Sequence, residues 1–218
     1  MPISYTYNLV FIHIPKCAGT TIEKILGTCT SRELYGQTPS PRLGQYTTPQ
    51  HFTYLQLKDT LNINWSDYHA FSVVRNPYQR FVSEYKYRKA VFRVSKCKKD
   101  DPGSFLQFIK KLDLEKSARI QEFDGHLETQ SSFLKNKKGK IEKSIEVFKF
   151  EELDKCWEAL ESKTGVSYKE DYWSRKSKYD VPYQNFYTPK TKSIIYNFYK
   201  EDFKNFGYSP NLPKKVNI

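Results

Sequence analysis

No apolar run in this chain approaches the roughly 20 residues needed to cross a bilayer, and its mean hydropathy is −0.73. A membrane-spanning protein is therefore not expected. The four cysteines, Cys17, Cys29, Cys97 and Cys156, include no closely spaced pair, and only four histidines accompany them. Zinc knuckles need paired ligands at short spacing, so no metal is expected and the thiols read as free, in a reducing compartment. The N-terminus carries no basic stretch running into a signal-like apolar segment, which predicts a cytoplasmic location. Also missing is the Gly-x-x-x-x-Gly-Lys-Ser/Thr pattern of ordinary P-loop ATPases.

What is present is charge and aromatic mass. The 218 residues hold 36 Lys+Arg against 24 Asp+Glu, a formal charge of +12, and 16% are aromatic. A chain of this length suits one domain and buries roughly 70% of its unfolded surface. Its aromatic content argues against a disordered basic tail. An isoelectric point near 9.3 points to anionic ligands: nucleic acid, phosphorylated cofactors or acidic glycans. The basic runs Lys96–Lys99, Lys135–Lys140 and Lys214–Lys215 read as solvated loops.

Hydrophobic patterning gives a single α/β domain over residues 1–218, with a central parallel sheet flanked by helices. Asn8–Ile14 reads as a strand buried on both faces and ended by Pro15. Thr20–Leu26 reads as a helix capped by Thr20, with Glu23 at the third helical position of a capping box. Arg32–Gln50 reads as an irregular insertion, and Thr53 with Gln56 as a second capping box for a helix to Leu61. His69–Val74 is a second buried strand, followed by a helix from Pro77 through Arg88. Ser104–Leu112 has helical periodicity, Ile145–Phe150 reads as a strand, and Glu151–Lys163 as a helix ending at Gly165. Pro189–Phe206 reads as one C-terminal helix stopped by Gly207.

Two loops carry the chemistry. Pro15-Lys16-Cys17-Ala18-Gly19-Thr20-Thr21 joins a strand to a helix N-terminus, and its amides, hydroxyls and lysine form a ready anion site. Arg75 leaves the end of the second strand and Ser83 follows eight residues later. Strand carboxyl ends are where open α/β sheets bind ligands. An arginine grips phosphate bidentately and a serine hydroxyl adds a donor. Arg80 reads as pairing with a carboxylate to hold its helix, His13 and His69 as structural, and Cys17 as a thiol with no base marked for it.

Together these loops resemble the PAPS-dependent sulfotransferases, particularly the carbohydrate sulfotransferase branch. The 5′-phosphosulfate loop of that family is similar to Ile14–Thr21, and its 3′-phosphate motif to Val74–Tyr85. His51-Phe52-Thr53, His126–Gln130 and Ile195–Tyr208 add to the likeness, which runs from about residue 8 to residue 208. The resemblance implies a P-loop-kinase-like sulfotransferase fold and in-line transfer of the PAPS sulfuryl group to a hydroxyl, on a carbohydrate, leaving PAP. It implies that Lys16 stabilises the leaving phosphate, that Gly19, Thr20 and Thr21 cradle the 5′-phosphate, and that Arg75 and Ser83 hold the 3′-phosphate. His51 becomes the candidate base, and His126 with Gln130 the acceptor-side residues. A neutral imidazole is well suited to take a proton near pH 7. The expected partners are PAPS, PAP and a glycan hydroxyl, with no specific nucleic acid and no bridging metal. Two other classes stay open: a small-metabolite kinase, which predicts a Walker lysine and an acidic Mg²⁺ site, and a non-catalytic polyanion-binding module, which predicts steep salt dependence independent of Lys16 and Arg75.

Overall fold

A computed structural model describes residues 3–27, 48–92, 102–112, 114, 124–167 and 181–214. Cys29, Cys97, the Lys96–Lys99 run and most of the 32–50 insertion lie outside these residues. Along the chain come β1 (Ile3–Ser4), β2 (Leu9–Ile12), α1 (Gly19–Leu26), α2 (Tyr54–Thr60), β3 (His69–Val74) and α3 (Pro77–Phe92). They are followed by α4 (Pro102–Lys111), α5 (Gln130–Leu134), β4 (Ile145–Lys149), α6 (Leu153–Thr164), α7 (Pro189–Phe198) and α8 (Lys200–Asn205). Residue contacts group into two compact units, Met1–Val74 with Gln130–Lys176, and Arg75–Thr129 with Ser177–Ile218.

The first unit holds the sheet, in the order β1-β2-β3-β4. β2, β3 and β4 are parallel, as their apolar sequences predict, and β1 adds a short antiparallel edge. All four residues of β2 are buried, because a parallel strand covered on both faces has no solvent side. Val10 pairs with Ala70 and Ile12 with Ser72, and Ser72 Oγ donates to the Ile12 carbonyl at 2.7 Å. Phe11 stacks on Phe71 at 5.0 Å between ring centroids. Since β2 and β3 are parallel and in register, their carboxyl ends lie on one edge of the sheet. That edge is where Pro15 and Arg75 follow in the chain.

The second unit is helical. Its core is aromatic: Tyr78, Phe81 and Tyr85 of α3, Phe105 and Phe108 of α4, then Phe186, Tyr187, Tyr199 and Phe203. The rings meet edge-on or tilted, Tyr78 on Tyr187 at 5.0 Å and Phe105 on Tyr187 at 5.1 Å, a geometry worth about 1 kcal/mol per pair beyond area burial. Three of the buried phenols donate to main-chain carbonyls. Tyr187 donates to the Tyr78 carbonyl at 2.8 Å, Tyr78 to the Pro210 carbonyl at 3.0 Å and Tyr199 to the Leu127 carbonyl at 2.9 Å. Burial pushes the Tyr78 phenol up to about 12, so it remains a donor at any ordinary pH.

Two sequence expectations need correction. The C-terminal helix breaks at Tyr199, where ψ turns to 21°. That ring is 2% exposed and its hydroxyl reaches the Leu127 carbonyl, so burial of Tyr199 takes precedence over a continuous helix. The α1 cap is not Thr20: the helix starts at Gly19, its N-cap is Ala18, and no side chain caps it. Among the described residues no helix is long and apolar enough to cross a membrane.

Candidate active site

The loop after β2 is held in a conformation that side chains disfavour. Lys16 and Ala18 both lie in the left-handed region, at φ 69° and 65°. Each such residue costs about 1–2 kcal/mol unless its surroundings enforce it. Two contacts do so. The buried Cys17 thiol donates toward the Pro15 carbonyl at 3.6 Å and the Gln130 side-chain oxygen at 3.4 Å. His13 closes the other side, so near Gly19 that a Cβ built there would lie 1.9 Å from Nε2. Gly19 is thus required for space, while the left-handed turns fall on its neighbours.

Gly19 and Thr20 open α1, where no earlier turn supplies carbonyls for their amides. Ala18 O takes the next two, from Thr21 at 3.0 Å and Ile22 at 3.2 Å. Lys16, Gly19, Thr20 and Thr21 thus lie on or beside the first turn of α1, and free first-turn amides at a positive helix end are groups that favour an anion. Lys16 and Thr20 are half-buried, Gly19 and Thr21 buried.

Behind this loop lies a buried polar cluster. Glu23 of α1 is 0% exposed. One carboxylate oxygen accepts from His13 Nδ1 at 2.9 Å, and the other from Gln50 Nε2 at 2.8 Å. Burial raises the carboxyl, but the facing His13, the two hydrogen bonds and the nearby His51 outweigh it and hold Glu23 below its ordinary range. An ionised carboxylate only accepts, so Nδ1 of His13 carries a proton. His51 ends a short turn, Pro49–His51, is 8% exposed, and meets the His13 ring edge-on at 4.8 Å. Phe11 stacks on the same imidazole at 5.4 Å.

In the second unit, α3 divides its faces. Asn76 caps it, accepting the Tyr78 amide at 3.0 Å on its side chain, while its carbonyl takes the Arg80 amide at 2.8 Å. Arg75, before the first turn, donates from Nε to Gln79 Oε1 at 3.1 Å. Ser83 is one turn beyond Gln79, so Arg75, Gln79 and Ser83 share one half-buried edge. Arg80 is 3% exposed and donates to two main-chain carbonyls, Glu128 at 2.8 Å and His126 at 2.9 Å. Glu84, one turn on and also buried, takes Arg88 Nε on one oxygen and His126 Nδ1 on the other, the latter at 2.7 Å. His126 is therefore oriented by a carboxylate, with Tyr87 against its ring at 5.4 Å.

The predicted residues divide accordingly. Lys16, Gly19, Thr20, Thr21, His51 and Gln130 belong to the first unit; Arg75, Ser83 and His126 belong to the second. Gln130 starts α5, is fully buried and contacts Cys17. His69 is the first residue of β3, and its Nε2 meets Glu146 of β4 at 2.8 Å. Of the lysines before α7, Lys190 is exposed and Lys192 reaches Asn211 at 3.5 Å.

The family model described as "Sulfotransferase family" matches residues 1–209. The chain belongs to the sulfotransferase family. No match was found among curated proteins or among solved structures.

In this sulfotransferase the sequence reading passed over Gln50, Glu84 and the inward role of Glu23. Glu23 was legible only as a cap, because its partners lie 10 and 27 residues away. Glu84 pairs with a histidine 42 residues on. The one sequence signal for Glu23 is a carboxylate placed among the apolar positions Ile22, Ile25 and Leu26 of an amphipathic helix.

Proposed function

We propose that this sulfotransferase uses PAPS as donor and a hydroxyl, on a carbohydrate, as acceptor. The observation supporting the reading most is the start of α1, which has no side-chain cap and admits no side chain at Gly19, within the segment Lys16–Thr21 that supplies amides, two hydroxyls and an ammonium. That donor set suits a 5′-phosphosulfate by its chemistry. PAPS, when bound, supplies an activated sulfuryl group, whose bond to the 5′-phosphate oxygen breaks as a bond to the acceptor oxygen forms. Lys16 and the amides of Gly19 and Thr20 stabilise the charge that collects on the departing phosphate oxygen, as preorganised donors do in phosphoryl transfer. His51 takes the acceptor's proton. Arg75 and Ser83, on one edge of α3, hold the 3′-phosphate; His126, held by Glu84, is assigned to the acceptor, as is Gln130.

The test is transfer of ³⁵S from labelled PAPS to a panel of glycans and small hydroxyl compounds. His51→Ala should keep PAP binding and lose transfer. Equal transfer rates in His51→Ala and wild type would remove His51 as the base.

A further inference from the structure

We propose that Glu23 is a positioning residue for sulfuryl transfer: its buried carboxylate ties the phosphosulfate loop to the turn that presents His51, and fixes the tautomer of the imidazole between them. The proposal rests on the reading of His51 as the base.

A fully buried carboxylate is costly unless its oxygens are engaged, and an apolar residue at position 23 would pack at lower desolvation cost. Here the two oxygens are shared between two segments. One holds His13, at the end of β2, and the other holds Gln50, the residue before His51. His13 in turn sits against Gly19 on one side and meets His51 edge-on at 4.8 Å on the other. His13, Glu23 and Gln50 thus connect the donor-side loop to the candidate base, with Glu23 as the shared acceptor. Because Glu23 accepts from Nδ1, a neutral His13 must hold its proton there and turn its bare Nε2 toward the Gly19 backbone. The opposite tautomer would set two lone pairs facing each other across 2.9 Å.

The same residue explains why the Thr20–Glu23 pattern fails as a capping box. A glutamate reaching back to the start of its own helix could not also reach His13 and Gln50. Glu23 is engaged by the latter pair, and Ala18 enters the helix uncapped.

The experiment combines steady-state kinetics with ring ¹⁵N spectroscopy on the full chain. Glu23→Gln keeps size and one acceptor oxygen but loses the charge. It should lower kcat on the order of 10- to 100-fold, the range seen when residues that orient a functional histidine are altered, with KM for PAPS within about two-fold. Glu23→Asp, which retains the charge on a shorter stem, should recover part of the loss. In wild type, neutral His13 should show the Nδ1–H tautomer, and in Glu23→Gln a mixture, since a glutamine amide can donate to a bare Nδ1. If Glu23→Gln does not fold, Gln50→Met, which removes one arm only, should still lower kcat. An unchanged kcat in whichever of these two variants folds, a loss confined to KM for PAPS, or an Nε2–H tautomer of His13 in wild type would overturn the proposal. A wild-type protein that transfers nothing from PAPS would sink the functional reading instead. The tautomer measurement needs no turnover and would still decide the geometry.

Discussion

His13 Nε2 occupies the space that a β-carbon at residue 19 would need, 1.9 Å from where that carbon would sit. The contact couples the end of β2 to the first residue of α1. The glycine cannot gain a side chain unless the imidazole moves.

Gly19→Ala should therefore force His13 from its place between Phe11 and His51. Overpacking of this kind costs about 1–3 kcal/mol, and urea unfolding should show a loss in that range. The double variant His13→Ala/Gly19→Ala should recover part of it. Additive losses in the double variant would mean the two residues do not compete for the same space.

Glu23 also sets an expectation for pH. Its folded-state pKa lies below the unfolded value, so in the window between them the unfolded chain binds the extra proton. The contribution is complete above the ordinary carboxyl range and is lost as pH falls through the folded value. Wild-type stability to urea should therefore fall from about pH 5 to about pH 3 more steeply than that of Glu23→Gln. Parallel curves would assign the acid limb to other groups.

Arg80 is a structural grip. Replacing it with alanine strands the half-buried carbonyls of His126 and Glu128, at a cost of about 1–3 kcal/mol. The measurement is the urea midpoint of Arg80→Ala. A change below about 0.5 kcal/mol would show that water replaces the guanidinium without cost.

Legibility in the sequence followed the range of the interactions involved. β3 was readable to the residue, because a buried parallel strand is a continuous apolar run between polar ends. Thr53 and Gln56 form the capping box that their spacing predicts, with bonds of 3.3 and 2.7 Å. Thr20 and Glu23 have the same spacing and form none, since Glu23 has distant partners that a local pattern cannot reveal. Tyr199 makes the same point: its stripe of apolar neighbours predicts an unbroken helix, yet its hydroxyl bonds a carbonyl 72 residues away. For the candidate site, the residues on the two βα loops were readable as chemistry. The carboxylates that orient the histidines were not.

On the proposed reading, Arg75 holds the 3′-phosphate, the group that sets PAP apart from 5′-AMP. Arg75→Ala should weaken PAP about 10- to 100-fold, the equivalent of a charge-assisted hydrogen bond, and leave 5′-AMP within about two-fold. Calorimetry with both ligands checks this. Equal weakening of PAP and 5′-AMP would place Arg75 elsewhere on the nucleotide, or make its effect a general one on folding.

The most direct test of PAPS dependence is the thermal shift of the wild-type chain with PAP, with ATP–Mg²⁺ and with heparin. PAP should raise the Tm clearly, by the mass-action stabilisation that any native-state ligand confers, and the other two should raise it little. No response to PAP alongside a clear response to ATP–Mg²⁺ would contradict the account.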